Sequence, residues 1–242
     1  MNICIDQGNS KLKMALFDDA HLVADYLCKD SALALLDELL FNYKIEKAIY
    51  SSVSGYNEEL MAHLKTNVAH FMQMHTSVRL PIVNDYATPE SLGVDRLAAA
   101  VGAYSLRPNT NLLIIDAGSA ITYDFVTAEG HYKGGNIAPG LKMRLRALHE
   151  YTANLPMVTV LEEETYPLFG SSTQEAIAAG VLNGITHEMN GYISELVYKY
   201  GNICVFLTGG NLSYFHNRLN LTTFAEKNLV MHGLNQILEC NV

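Results

Sequence analysis

Basic residues are scarce in this chain. Its 242 residues carry 16 Lys and Arg against 25 Asp and Glu, a net charge of −9 at pH 7. A surface of that sign repels phosphate backbones, so no nucleic-acid partner is expected. An acidic chain can still hold a nucleotide, because a local loop and a cation outweigh the total charge. Cysteines number only four. Cys4, Cys28, Cys204 and Cys240 are widely spread and form no C-x-x-C pair, which argues against a zinc site. Cys4 and Cys204 stand in apolar, strand-like runs, where buried thiols are ordinary, and a reducing, cytoplasmic setting is expected. The chain has no apolar run of about 18 residues, so no membrane span is expected. Its first residues lack a basic n-region and an apolar h-region. The nine histidines show no H-x-x-x-H spacing and read as surface or partly buried side chains.

What is present is globular. Hydrophobic residues make up 49% and charged residues 17%, with no low-complexity segment. The length suits one large domain or two of about 100–150 residues. Asn2 to Asp6 reads as a strand, and the alternation from Lys11 to Phe17 predicts a second one returning antiparallel. Helices are predicted over Ser31–Phe41, with Ser31 as N-cap, over Asn57–Ala69 and over Leu92–Leu106. Lys47–Val53 and Ser77–Val83 read as strands. The pattern then restarts. Asn111–Asp116 is a strand, Ala117-Gly118-Ser119 a turn and Ala120–Val126 an outgoing strand. Helices follow from Leu141 to about Thr152 and from Ser172 to Tyr200, then a strand over Asn202–Thr208 and a closing helix over Ala225–Leu238.

Two stretches are alike. Ile3-Cys-Ile-Asp-Gln-Gly-Asn-Ser10 and Ile114-Ile-Asp-Ala-Gly-Ser119 each place a short apolar strand before Asp-x-Gly. About one domain's length separates them, which predicts a duplicated fold divided near Arg107–Thr110. The expected division is 1–108, with the first loop and the Asp95-Arg96 pair, and 109–242, with the second loop.

Each loop has a plain reading and a chemical one. Asp6-Gln7-Gly8-Asn9-Ser10-Lys11-Leu12-Lys13 could be an ordinary hairpin turn. It could also hold a phosphate: Gly8 allows close backbone approach, Asn9 and Ser10 add donors, Lys11 or Lys13 adds charge, and Asp6 suits hydrated Mg²⁺. It is not a Walker A loop, which needs Gly-Lys-Ser/Thr before a helix. Asp116-Ala-Gly-Ser119 has the same two readings, and Gly209-Gly210 after a strand offers a third backbone surface. In Gly93-Val94-Asp95-Arg96, Asp95 either caps a helix or serves as a general base, and Arg96 either pairs with a surface acid or clamps an anion. Lys142, Arg144 and Arg146 form a basic patch on a helix, which faces an anion, a partner or solvent.

The ordered set of motifs resembles the type III pantothenate kinases. It comprises Asp6-x-Gly-Asn-Ser-x-x-Lys13, Tyr86 ahead of Gly93-x-Asp-Arg96, and Asp116-x-Gly-Ser-Ala-x-Thr-x-Asp124. Gly134-Gly-x-Ile-x-Pro-Gly140, Leu155-Pro156, Thr173 with Gly180, and Thr208-Gly-Gly210 complete it. The resemblance runs from residue 3 to about residue 211. It implies an α/β fold of duplicated ribonuclease H-like, actin-like domains, with mixed sheets flanked by helices and a nucleotide cleft between the halves. It implies ATP-dependent phosphorylation of pantothenate to 4′-phosphopantothenate, with Mg²⁺ and a monovalent cation, K⁺ or NH₄⁺. By position, Asp6 to Lys13 and Ser119 would contact ATP, Asp116 the monovalent cation, and Tyr86, Gly93, Val94, Asp95, Arg96 and Thr173 the substrate, with Asp95 as base. The family is homodimeric, which would let Thr173 act across the interface, and the interface would fall to residues 109–242. Ser119 stands where the family usually has threonine; it keeps the hydroxyl and loses the methyl. Two other readings fit the same fold: a nucleotide-binding regulatory protein, and a kinase for another small hydroxy acid.

Overall fold

The computed structural model describes residues 1–9, 11–28, 30–162 and 164–242, and divides into two compact units. The first comprises Met1–Asn109, Val126–Lys133 and Asn228–Val242; the second comprises Thr110–Phe125 and Gly134–Lys227.

The first unit is built on strands β1 (Asn2–Gln7), β2 (Leu12–Asp18), β3 (His21–Cys28), β4 (Lys47–Ser52) and β5 (His70–Gln73), in the sheet order β3-β2-β1-β4-β5. β1 to β3 form an antiparallel meander, and β4 and β5 add in parallel. Period-two alternation decides what each face meets. Ile3 and Ile5 of β1 pack with Ala48 and Tyr50 of β4, Leu36 and Leu39 of helix α1 (Ala32–Asn42), and Leu60 and Leu64 of helix α2 (Glu58–Asn67). Each such fully buried Leu or Ile contributes about 1.5–3 kcal/mol of transfer free energy. Both helices start as their sequences predict. The Ser31 hydroxyl accepts from the Ala34 amide, and the Asn57 side chain from the Leu60 amide.

On the other face, Asn2 donates to Asn235 at 2.8 Å and to Glu239 at 2.6 Å, tying β1 to the last helix of the chain. Helix α3 (Val94–Leu106) packs on that last helix at a glycine crossing. A Cβ on Gly233 would lie 1.7 Å from the Ala98 carbonyl oxygen, and one on Gly102 would lie 2.2 Å from that of Leu229. The absent side chains let the two backbones approach this closely.

Where Ser77–Val83 reads as a strand from sequence, the edge strand is His70–Gln73, and only Val83–Asn84 (β6) pairs, in parallel with His131–Tyr132. β3 carried no clear signal, because as an edge strand its exposed and half-buried positions alternate without strong apolar character.

The second unit repeats the topology. Strands β7 (Leu112–Ala117), β8 (Ala120–Val126), β9 (His131–Pro139), β10 (Cys204–Thr208) and β11 (Thr223–Ala225) are ordered β11-β10-β7-β8-β9. β7, β10 and β11 run parallel. Leu113, Ile115 and Ala117 of β7 pack with Val205 and Leu207 of β10 against helices α4 (Leu141–Glu150) and α5 (Thr173–Tyr200). A short helix α6 (Leu212–Phe215) follows β10, and α7 (Leu229–Cys240) closes the chain. No helix among the described residues is long and apolar enough to cross a membrane.

Candidate active site

Both units place an aspartate at the end of their first strand, beside a buried hydroxyl. Asp6 of β1 is in register with Ser51 at the end of β4, and Asp116 of β7 with Thr208 at the end of β10. Ser51 is 0% and Thr208 2% exposed. In each case the turn after the aspartate is held by the loop that follows the parallel strand.

In the first unit, the Gly8 amide donates to the Lys11 carbonyl at 2.9 Å, closing the turn. Gln7 reaches across it: its Nε2 donates to the Gly55 carbonyl at 3.1 Å, and its Oε1 accepts from the buried Tyr50 hydroxyl. The Ser54 hydroxyl donates to the Gly8 carbonyl at 3.3 Å. Lys13 is the cross-strand partner of Asp6, while Asn9 and Lys11 are exposed. Gln7 is therefore engaged within the protein, which leaves backbone, Asn9 and the lysines as the groups presented outward. Ser10 lies outside the described residues.

The second turn is lined by glycines. A Cβ on Gly209 would lie 2.3 Å from Asp116 Oδ1, and one on Gly118 3.1 Å from the same atom. The missing side chains keep space around that carboxylate, and Gly209 has φ +92°, a conformation that favours glycine. Asn211 donates its backbone amide to the Ala117 carbonyl at 2.9 Å and its Nδ2 to the Gly118 carbonyl at 3.0 Å. Gly140 also packs on the turn: a Cβ there would meet the Ser119 carbonyl oxygen at 2.2 Å. Ser119 is exposed. Asp124 on β8 is 1% exposed, and a Cβ on Gly135 would come within 2.6 Å of its Oδ1.

The third constellation opens α3. Gly93 is its N-cap residue and makes no side-chain cap; Asp95 sits in the first turn, where a carboxylate is favoured by the helix dipole. Asp95 Oδ1 accepts from the Arg96 amide at 2.9 Å. A Cβ on Gly93 would lie 2.5 Å from that oxygen, so glycine here makes room for the carboxylate. Arg96 is 7% exposed, and its guanidinium carbon lies 5.8 Å from the centre of the Tyr86 ring. Tyr86 in turn lies 6.2 Å from the fully buried ring of Tyr132. The Asp85 carboxylate fixes this segment by accepting from Lys133 at 2.6 Å and His131 at 2.9 Å. Those two partners, Lys133 first, hold its carboxyl below the usual range.

The structure thus brings Tyr86, Gly93, Val94, Asp95 and Arg96 together in the first unit. Thr173, at the exposed start of α5, belongs to the second. The basic patch does not act as one: Arg144 is bonded to Glu188 at 2.7 Å and Arg146 to Glu150 at 2.6 Å, which leaves Lys142 to solvent. Sequence reasoning missed Ser54, Asn211 and Glu188. Only the duplicated topology could have pointed to Ser54 and Asn211, since each follows the parallel strand beside its loop. Among the described residues, no group of three or more His, Cys, Asp or Glu is arranged to hold a metal on its own. Asp6 and Asp116 are single hard-oxygen donors beside glycine turns, which suits a cation shared with a phosphate ligand.

The topology defines a fold class: a duplicated mixed α/β fold of the kind found in actin-like ATPases and sugar kinases. Similar solved structures include a Campylobacter jejuni protein assigned to the Baf family of transcriptional activators. It matches with TM-score 0.61 and 24% identity over 99% of this chain and 98% of that one. A Listeria monocytogenes protein assigned as an N-acetylmannosamine kinase matches with TM-score 0.55 and 11% identity, over 99% and 98%.

The family follows from sequence. The type III pantothenate kinase family model matches residues 2–195. A type III pantothenate kinase of Bacteroides fragilis is 43% identical over 241 residues, 100% of this chain and 98% of its relative. The chain belongs to the type III pantothenate kinase family.

Proposed function

We propose that this chain transfers the γ-phosphoryl group of ATP to the primary hydroxyl of pantothenate, the first step of coenzyme A biosynthesis, with Asp95 as general base. The observation that carries the residue assignment is the opening of α3. Gly93 leaves space for the Asp95 carboxylate, and the residue after Asp95 is the buried Arg96, set against Tyr86. Arg96 and Tyr86 suit the carboxylate end of pantothenate, because guanidinium offers a planar fork and the ring orients it. Asp95 accepts the hydroxyl proton as the oxygen attacks phosphorus; one P–O bond forms, the bond to the β-phosphate oxygen breaks, and ADP leaves. Such transfer needs positioning and charge stabilisation more than covalent chemistry.

The Asp6–Lys13 turn and Ser119 serve ATP in this reading. Asp6 would hold Mg²⁺ with the phosphates, and Asp116 the monovalent cation. These cations supply positive charge that offsets the charge developing on the transferred group. Thr173 serves the substrate. The exposed face of α5 bears Gly180, Gly184 and Gly191, with open space where a Cβ would be, and Tyr198 at 91% exposure. Together with exposed Leu168 and Phe169, that face supports a homodimer. Among the described residues no disulfide joins any of the four cysteines, which fits a cytoplasmic setting.

The test is ADP release from the purified chain with Mg·ATP, with and without pantothenate, in K⁺ and in NH₄⁺. Release that depends on pantothenate, with the phosphorylated product confirmed by mass, supports the reading. A folded, ATP-binding chain that releases no ADP with pantothenate overturns it.

A further inference from the structure

We propose that Arg144 and Glu188 form a positioning pair that sets the Asp116–Ser119 turn for ATP; this rests on the reading of that turn as a nucleotide loop. The chemistry of the pair is local to the second unit. Arg144 Nε donates to the Pro139 carbonyl at 2.7 Å, and its terminal nitrogen donates to Glu188 Oε2 at 2.7 Å. The Arg144 backbone amide donates to the Gly140 carbonyl at 3.0 Å. One residue therefore holds the last carbonyl of β9 and the N-cap carbonyl of α4, which fixes how the chain turns from strand to helix.

That junction is what touches the loop. Gly140 packs so closely on the Gly118-Ser119 backbone that a Cβ would meet both carbonyl oxygens, at 2.7 and 2.2 Å. A shift of Pro139-Gly140 is passed directly to Ser119, because the contact is backbone on backbone with no side chain to yield. Asn211 also restrains the turn, donating to the Gly118 carbonyl, so the junction held by Arg144 is a second support.

Glu188 is itself oriented. Its Oε1 accepts from the Tyr123 hydroxyl at 2.7 Å, and the Tyr123 ring lies 4.3 Å from that of Tyr192. The Tyr192 hydroxyl accepts from Asn136 Nδ2 at 3.0 Å, which returns to β9. Tyr123 is 2% exposed. Burial first, and then the bond to Glu188, push its phenol far above the usual range. It therefore stays a neutral donor across the working pH range. Arg144 and Glu188 are partly buried, with side chains 22% and 28% exposed, so the pair is less screened than a surface bridge. A guanidinium is required, because only a planar fork reaches Pro139 and Glu188 at once.

The test compares Glu188→Gln, Arg144→Lys, the double variant Arg144→Met/Glu188→Gln, and Ser119→Ala, each by steady-state kinetics and thermal melting. Glu188→Gln and Arg144→Lys are expected to raise KM for ATP by about tenfold while KM for pantothenate stays within about twofold. The double variant is expected to be little worse than either single one, because both break one unit. Tyr123→Phe, which removes only a hydroxyl, is expected to raise KM for ATP by a smaller factor and serves where Glu188→Gln folds poorly. A lower melting temperature with an unchanged KM for ATP, or equal changes in both KM values, overturns the proposal. If Ser119→Ala raises KM for ATP and the pair variants do not, the pair is not a positioning device. If neither raises it, the nucleotide reading of the turn fails as well. If the pair variants alone raise it, the turn acts through its backbone and the proposal stands.

Discussion

The guanidinium of Arg96 lies over the ring of Tyr86, 5.8 Å from its centre, with only 7% of the arginine exposed. A charge held that deep needs a compensating environment, and an aromatic face supplies part of it. Lysine at position 96 keeps the charge but loses the planar stacking. Arg96→Lys is expected to raise KM for pantothenate by about tenfold or more, and Tyr86→Leu by about threefold to tenfold, with KM for ATP little changed. Initial-rate kinetics with each substrate varied in turn check this.

Asp95→Asn keeps the shape and the acceptor for the Arg96 amide but cannot take a proton. The expected result is a loss of about 10²–10⁴ in kcat with the melting temperature close to that of the parent. A variant that turns over at the parental rate would falsify the base assignment.

Gly93→Ala tests the same carboxylate from its neighbour. The added carbon would lie 2.5 Å from Asp95 Oδ1. The atom in its way ends a short side chain that can swing aside, so the protein is expected to fold while the carboxylate moves. Activity should fall with little change in melting temperature, and a crystal structure of the variant should show Asp95 rotated.

Gly233→Ala should behave in the opposite way. Its Cβ would meet the Ala98 carbonyl oxygen at 1.7 Å, and backbone cannot swing aside. Separating α3 from α7 is expected to cost at least about 2–4 kcal/mol, and chemical denaturation reads it directly.

The Asp85 clip gives a pH dependence. Lys133, then His131, hold its folded pKa below the ordinary carboxylate value, which is about 3.9 when unfolded. The stability from this group is therefore present above about pH 4 and is lost as pH falls through the lowered folded value. The site is exposed, so the effect is modest. NMR titration of Asp85 should show the lowered midpoint, and Lys133→Met should move it upward. Asp85→Asn should raise KM for pantothenate by about twofold through a looser Tyr86.

Much of the molecule was legible in the chain itself. Apolar periodicity marked β1, β4, β7 and the long α5. Ser31 marked a helix start, because capping is decided within a few residues of sequence. The two Asp-x-Gly turns carry the repeat in the sequence itself, and the ordered motifs point to the family that the relatives establish.

Tertiary structure decided what lies beside those motifs. Gly93 reads as a helix start, yet its role as space for the Asp95 carboxylate depends on the rotamer of a residue two positions on. Ser54 and Asn211 are unremarkable until parallel pairing sets each against a glycine carbonyl across the sheet. Arg144 looked like one member of a basic patch; folding turned it inward to Pro139 and Glu188, leaving Lys142 outside. Grouping of Asn228–Val242 with the first unit arises from the glycine crossing of α3 and α7, two segments more than a hundred residues apart. Local propensity acts over a few residues and is written in the sequence. Close approach between distant backbones is set by which side chains are missing on both partners at once, and only the folded chain brings those partners together.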